Sequence, residues 1–261
     1  FINKLIGSDR FLVTVRNDGS FQTVCSVLGN AEKIVEIPDH GFFGKLEVSD
    51  SCPDANDETI VGVNIAVDMP NLRFSEFDNT EAFLTEFSWA LVEIHAQTQC
   101  VFRFFPHVKS DLSAISKIVD LLPDKLARQH VQVVRYDTSS KGSLKLFEEY
   151  LGCSLILANR FHANVFAISS LLPVIGISNY PQISSLYSRM SLDQFCFDVR
   201  RPGFMHDLAA NAVLAISNPD STTERLRISM KEVRDSRANF EVKLVEWLLR
   251  NSLLHDMNIR P

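Results

Sequence analysis

The chain is poor in the features that mark several protein classes. Its five cysteines, Cys25, Cys52, Cys100, Cys153 and Cys196, are odd in number, widely spaced and without a C-x-x-C pair. That pattern indicates neither a zinc site nor a disulfide framework. Cys100, Cys153 and Cys196 lie in or beside apolar runs, where a thiol serves as a small hydrophobe, so a reducing compartment is expected. No uninterrupted apolar run is long enough to span a bilayer, and no signal-peptide pattern is visible. An excess of basic residues is lacking as well. The net charge of −6 argues against a nucleic-acid binder with its basic face, yet it leaves room for a small basic pocket, which is all an anionic substrate needs. Internal repeats and low-complexity segments are absent. The chain begins at Phe1 without a methionine, and a longer natural protein is expected.

What is present reads as an ordinary globular protein. Of 261 residues, 46% are hydrophobic and 22% charged, enough to bury a substantial core. Short β-branched or aromatic runs predict strands at Phe11–Val15, Lys33–Ile37, Thr59–Val67, Cys100–Phe105, Val131–Tyr136, Leu155–Leu157, Val174–Ile177 and Phe195–Val199. Helical spacing fills most gaps between them. Asn79–Gln97 places Phe83, Phe87, Ala90 and Ile94 on one face, and Asp111–Leu122 does the same with Leu112, Ile115, Val119 and Leu122, with Ser110 or Asp111 as N-cap. Strand and helix in alternation call for a parallel sheet covered on both faces: an α/β, doubly wound, Rossmann-like fold. The Ser-, Asp-, Asn- and Pro-rich stretch Glu47–Glu58 has no apolar period and reads as a loop or linker. The expected organisation is therefore a tail of a preceding domain at 1–46, an α/β domain at 59–218 and a C-terminal helical extension at 219–261. In that extension Leu226, Met230, Val233, Phe240, Leu244, Trp247 and Leu254 form a stripe on one long helix or two shorter ones, packed on its own domain or on a second copy.

Ser154–Ser178 carries the clearest chemical signal. The strand at Leu155–Leu157 is followed at once by Asn159-Arg160-Phe161-His162-Ala163, a helix through Val165–Leu171, then Pro173 and another strand. Ligands of open α/β sheets bind beyond the carboxyl ends of strands, where helix N-termini attract anions. An arginine there offers a bidentate fork for phosphate or carboxylate, and a histidine two residues on titrates near neutral pH. A helix-capping Arg160 and a structural His162 fit the same residues. His107 follows a strand and precedes Lys109 and Asp111, so it either lines the same cleft or is a turn residue. Asp39 and His40 follow Pro38 at another strand end and read as turn residues, with Asp39 capping or orienting. Gly142–Ser143 opens a helix, Arg200–Arg201 forms a basic turn, and Ser20 reads as an N-cap.

Four segments in order resemble polysaccharide pyruvyl transferases. Leu155-Ile-Leu-Ala-Asn-Arg-Phe-His-Ala-Asn-Val-Phe-Ala-Ile followed by Leu172-Pro-Val-Ile-Gly-Ile-Ser looks like the family's C-terminal signature, a strand ending in Arg-Leu-His, a helix with small residues, then Pro-Val-Ile. Val13-Thr-Val-Arg-Asn-Asp-Gly-Ser20 resembles its Val-Arg-Asp-x-x-Ser stretch. Ile37-Pro-Asp-His-Gly-Phe42 resembles Pro-Asp-Pro-x-Phe, and Phe104-Phe-Pro-His-Val-Lys-Ser-Asp111 resembles Phe-x-Pro-His followed by Asp. This chain departs from the pattern at Phe161, at Asn17, and at Gln182, where the family often has lysine after Tyr-x-Pro.

The resemblance implies the donor half of a GT-B-type enzyme in cell-surface polysaccharide synthesis. It implies transfer of a pyruvyl ketal from phosphoenolpyruvate to hydroxyls of a sugar or lipid-linked oligosaccharide acceptor. Arg16, Arg160 and His107 are then the expected substrate-binding residues and His162 the general acid/base. Phosphoenolpyruvate is a substrate; no cofactor and no metal are implied. Neither nucleic acid nor a transmembrane segment is expected, and the compartment is the cytoplasm, including the inner face of the membrane. Two rivals fit the same residues: a GT-B glycosyltransferase using a nucleotide-sugar, and an inactive binding module of the same family.

Overall fold

The computed structural model describes residues 10–28, 34–44, 58–73, 80–201 and 203–253. Eight strands occur among them: β1 (Val13–Arg16), β2 (Ile34–Ile37), β3 (Ile60–Asn64), β4 (Val101–Phe104), β5 (Val131–Val133), β6 (Leu155–Ala158), β7 (Val174–Ser178) and β8 (Cys196–Asp198). Each falls within or beside a predicted run. The helices are α1 (Ser20–Leu28), α2 (Pro70–Arg73), α3 (Thr80–Thr98), α4 (Asp111–Leu121), α5 (Asp124–Gln129), α6 (Gly142–Tyr150), α7 (Phe161–Ser169), α8 (Pro181–Arg189), α9 (Phe204–Ser217) and α10 (Pro219–Arg250). The proposed linker lies outside the described residues, apart from Glu58.

Strands β3 to β8 form one wholly parallel sheet in the order β5-β4-β3-β6-β7-β8. The chain winds outward from β3 to one edge, returns to the centre at β6, and winds to the other edge. The reversal between β3 and β6 is the topological switch point of a doubly wound fold. Its register pairs Asn64 with Ala158, so the loops that leave this pair start side by side.

Helices cover both faces, which is why the central strands read as continuous apolar runs rather than alternating ones. β6 and β7 are buried at every position. Their period of two still divides the core. Leu155, Leu157, Ile175 and Ile177 join Phe83, Phe87, Leu91, Ile115 and Leu208 on one face. Ile156, Ala158 and Val174 join Val165, Ile168, Leu186, Tyr187 and Leu226 on the other. Gly176 permits this second layer, because a Cβ there would lie 2.5 Å from the Tyr187 ring.

β1 and β2 pair in parallel as a separate two-stranded sheet. The C-terminal stripe resolves into one helix of 32 residues. Leu226, Met230 and Val233 are buried in the core of the α/β domain, so the first half of α10 packs on its own domain. Further along, the Arg237 guanidinium lies 4.4 Å from the Phe43 ring centre, and Phe240 and Leu244 face Ile37 and Pro38 across a cavity of about 500 Å³. One helix thus touches both units. Truncating a fully buried leucine removes transfer energy and leaves a void, so Leu226→Ala should cost about 2–5 kcal/mol. The same change at exposed Val245 should stay within about 0.5 kcal/mol. Urea unfolding midpoints of the two variants check this.

Candidate functional site

Four buried asparagines frame the carboxyl end of the switch point. The Asn64 amide donates to the Phe105 carbonyl at 3.0 Å, and its oxygen accepts the Arg160 N–H at 2.9 Å. Asn159 donates to the Ile177 carbonyl (2.7 Å) and accepts from the Ala66 N–H (2.8 Å) and from Asn179 (3.2 Å). Asn179 also donates to the Ala66 carbonyl at 3.0 Å. Asn164 donates to the carbonyls of Ala158 and Arg160 and accepts the Tyr187 hydroxyl. Each amide satisfies buried backbone groups that a loop would otherwise leave orphaned. Sequence reasoning missed this frame: an asparagine after a strand reads as a turn, and its partners lie up to 113 residues away.

The frame fixes Arg160 as the residue preceding α7. Its Nε donates to Asp111 Oδ2 at 2.9 Å, and its Nη2 bonds both Asp111 Oδ1 and, at 3.1 Å, Asp68 Oδ1. Asp111 is buried and also accepts the N–H groups of His107 and Val108, at 2.9 and 3.2 Å. Ser110 takes the expected N-cap position of α4 but makes no side-chain cap bond, and the Asp111 carboxylate turns back to Arg160 and the preceding loop. Burial works against the charge on Arg160, but hydrogen bonds and attraction from Asp111, then Asp68, outweigh it and raise its pKa.

Asp68 also engages an arginine the sequence did not single out. Arg73, buried in α2, donates from Nε to the Asp68 carbonyl (2.7 Å) and Oδ1 (3.2 Å), and from Nη1 to Asn179 (3.1 Å). Burial lowers the Arg73 pKa; Asp68 opposes the shift and the like charge of Arg160 adds to it. Burial tends to raise the Asp68 carboxyl, yet the attraction of Arg160 and then Arg73 prevails and holds it below the usual range.

The small sheet supplies the facing wall. Arg16, at the end of β1, bridges Asp18 (2.9 Å) and Asp39 (3.1 Å) and lies 5.2 Å from the Phe161 ring centre. Asp39 caps the 3-10 turn His40–Phe43 through the Gly41 N–H at 2.7 Å, the orienting role expected for it. A Cβ on Gly41 would meet Asp39 and Val165 at about 3 Å, so glycine lets this turn lie close against α7. His162, with 61% of its side chain exposed, then sits with Nε2 at 3.9 Å from Asp39 Oδ1. Gln182, standing where the resemblance leads one to expect lysine, donates to Asp18 at 3.1 Å. Asp18 also accepts the N–H and hydroxyl of Ser20, so the start of α1 is held by Asp18.

His107 is partly exposed, but its ring is walled by Phe147 and Tyr150 and shares a 2.7 Å hydrogen bond between Nε2 and the Tyr150 hydroxyl. Burial, then electrostatic repulsion from Arg160 and His162, lowers its pKa from 6.5 to about 3. It is neutral at physiological pH.

Arg16, His107, Arg160 and His162 all line one cavity of about 440 Å³, together with Arg73, Phe161, Tyr180 and Gln182. Of the other sequence candidates, His40 lines the separate cavity under α10, and Arg200 pairs with Asp198 in its exposed turn. Gly142 begins α6 without a side-chain cap. The Cys100, Cys153 and Cys196 thiols are raised by burial to about 11, 12 and 12, in keeping with packing rather than reactivity. Among the described residues no helix is long and apolar enough to cross a membrane.

A cavity lined by three guanidinium groups and two histidines, with no carboxylate among its described lining residues, suits a small anion. Comparison with known proteins agrees in kind. A model of the family described as polysaccharide pyruvyl transferase matches residues 1–180, a span that includes all four motif segments. No curated protein and no solved structure matches the chain.

Two predictions follow from the geometry. Removing one partner of a buried ion pair leaves the other uncompensated, so Arg160→Ala, which strands the Asp111 carboxylate, should destabilise the fold by about 3–5 kcal/mol in urea unfolding. His107 contributes stability that is fully present above the unfolded imidazole pKa of 6.5 and is lost as pH falls toward about 3. Unfolding free energy should decline across that window in the parent protein, and less steeply in His107→Gln.

Proposed function

The chain belongs to the polysaccharide pyruvyl transferase family, and from that premise we propose that it binds phosphoenolpyruvate in the cavity at the switch point and passes its pyruvyl group to a sugar. The observation that carries this reading is the convergence of Arg16, His107, Arg160 and His162, from separate motifs, on one cavity. The arginines hold the donor's phosphate and carboxylate. His162, open to solvent on the cavity side, delivers a proton to C3, turning the methylene into a methyl group and leaving an oxocarbenium-like C2. A sugar hydroxyl attacks C2, the C–O bond to phosphate breaks, and a second hydroxyl closes the ketal. Of the two hydroxyl protons, one replaces that given to C3 and the other leaves with phosphate. Residues 59–218 act as the donor domain, and Arg16 joins its cavity from β1. The site lies in the cytoplasm, where phosphoenolpyruvate is available.

The binding-module reading draws on Gln182, which offers no charge to an anion and is held by Asp18. Turnover separates the two. Loss of a general acid typically costs roughly 10²–10⁴-fold in rate, so His162→Ala should lower single-turnover transfer by that order while donor Kd by calorimetry moves only a few-fold. Normal turnover in His162→Ala removes its role as acid. Stabilisation by a UDP-sugar but not by phosphoenolpyruvate would favour the glycosyltransferase instead.

A further inference from the structure

A single oxygen, Asp68 Oδ1, lies 3.1 Å from Arg160 Nη2 and 3.1 Å from Arg73 Nη2, with Arg73 Nε at 3.2 Å. Both guanidiniums line the cavity. They differ in what else holds them. Arg160 has Asp111 beneath it, a buried full charge that neutralises it. Besides Asp68, Arg73 has neutral partners among the described residues, Asn179 Oδ1 at 3.1 Å and the Tyr180 ring centre at 5.9 Å. Two arginines are thus drawn together around one carboxylate oxygen, the arrangement in which guanidinium pairs bind a phosphate or carboxylate oxygen of a ligand. Asp68 reaches this place from a short turn rather than from the sheet. Met69 takes a left-handed conformation, φ +54°, and Arg73 closes the turn by donating its N–H to the Met69 carbonyl and its Nε to the Asp68 carbonyl. Such a conformation is costly for a non-glycine residue. The Asp68 side chain retains 24% exposure, so its carboxylate already borders solvent.

We infer that Arg73 and Arg160 form a two-arginine seat for one oxyanion of the ligand, and that Asp68 fills this seat until the ligand's oxygen replaces it. Arg73 is then a binding residue of the site, and Asp68 sets its affinity by competition. Asp111 stays in place, since Arg160 must remain paired whichever anion faces the cavity. The inference deepens the proposed donor site and rests on it only for the identity of the ligand, because a seat for an oxyanion can exist whatever molecule carries it.

The test is calorimetric binding of inorganic phosphate, pyruvate and phosphoenolpyruvate to the parent protein, Asp68→Asn and Arg73→Gln. Thermal melts without ligand verify that each variant is folded. Hydrogen bonds to charged groups are worth roughly tenfold or more in binding. Asp68→Asn, isosteric but uncharged, should therefore bind at least one of the three anions about tenfold tighter, and Arg73→Gln about tenfold more weakly. Tightening for phosphate alone assigns the seat to the phosphate end, and tightening for pyruvate alone to the carboxylate end. Equal or weaker binding by folded Asp68→Asn overturns the inference and makes Asp68 a positioning residue for the arginines. Unchanged binding by Arg73→Gln, or no binding of any anion to any variant, also overturns it. If Asp68→Asn tightens phosphate binding but phosphoenolpyruvate binds no better than phosphate, the seat stands and the pyruvyl-donor reading fails.

Discussion

A carboxylate taken fully out of water has to be answered, and in this protein the buried Asp111 is answered by Arg160 and by two backbone N–H groups. The cost of desolvating such a charge is several kcal/mol, recovered only with close geometry on every lone pair. That demand ties the start of α4 and the loop after β4 to the residue that opens α7, across the switch point of the sheet. Because Arg160 is committed on one edge to Asp111, only its remaining surface is presented to the cavity. Arg160 is thus held by ion pairs rather than by a side-chain cap of α7, and it still lines the cavity.

The site also depends on how the small sheet is carried. Arg16 and Asp39 are not on the six-stranded sheet; Arg16 reaches the cavity from β1, and Asp39 backs it from the turn after β2. Contacts of that turn with α7, and of β2 and Phe43 with α10, hold them there. The Arg189–Glu36 pair at 3.3 Å adds a further tie from α8. Arg189 offsets part of the burial that raises the Glu36 carboxyl. The cavity is therefore bounded by two bodies joined through side-chain packing rather than strand pairing.

Much of this was legible in the sequence. Runs such as Leu155–Leu157 and Val174–Ile177 announce central strands because both of their faces are apolar, and alternation with helical spacing sets the parallel class. Arg160 and His162 are readable because they follow a strand directly. Arg73 is not. Nothing at Pro70–Arg73 marks a strand end, and it reaches the site through the left-handed turn at Met69, a conformation no local preference of methionine suggests. Asp68, and the pairing of Asp111 with Arg160, were hidden for a related reason: the partner at position 160 is distant in sequence, and acidic residues ordinarily face water. α9 also went unread, since its alanine-rich stretch resembles neither a strand nor a strongly striped helix.

The asparagine frame has a consequence of its own. Carboxylates or histidines could have made the same backbone hydrogen bonds, but their bonding changes when they gain or lose a proton. Amides do not titrate. The backbone at Arg160 is thus held by groups that do not ionise, whereas its guanidinium is held by the carboxylates of Asp111 and Asp68. The amide frame thereby fixes where the backbone of the site lies, apart from the charge pairs mounted on it.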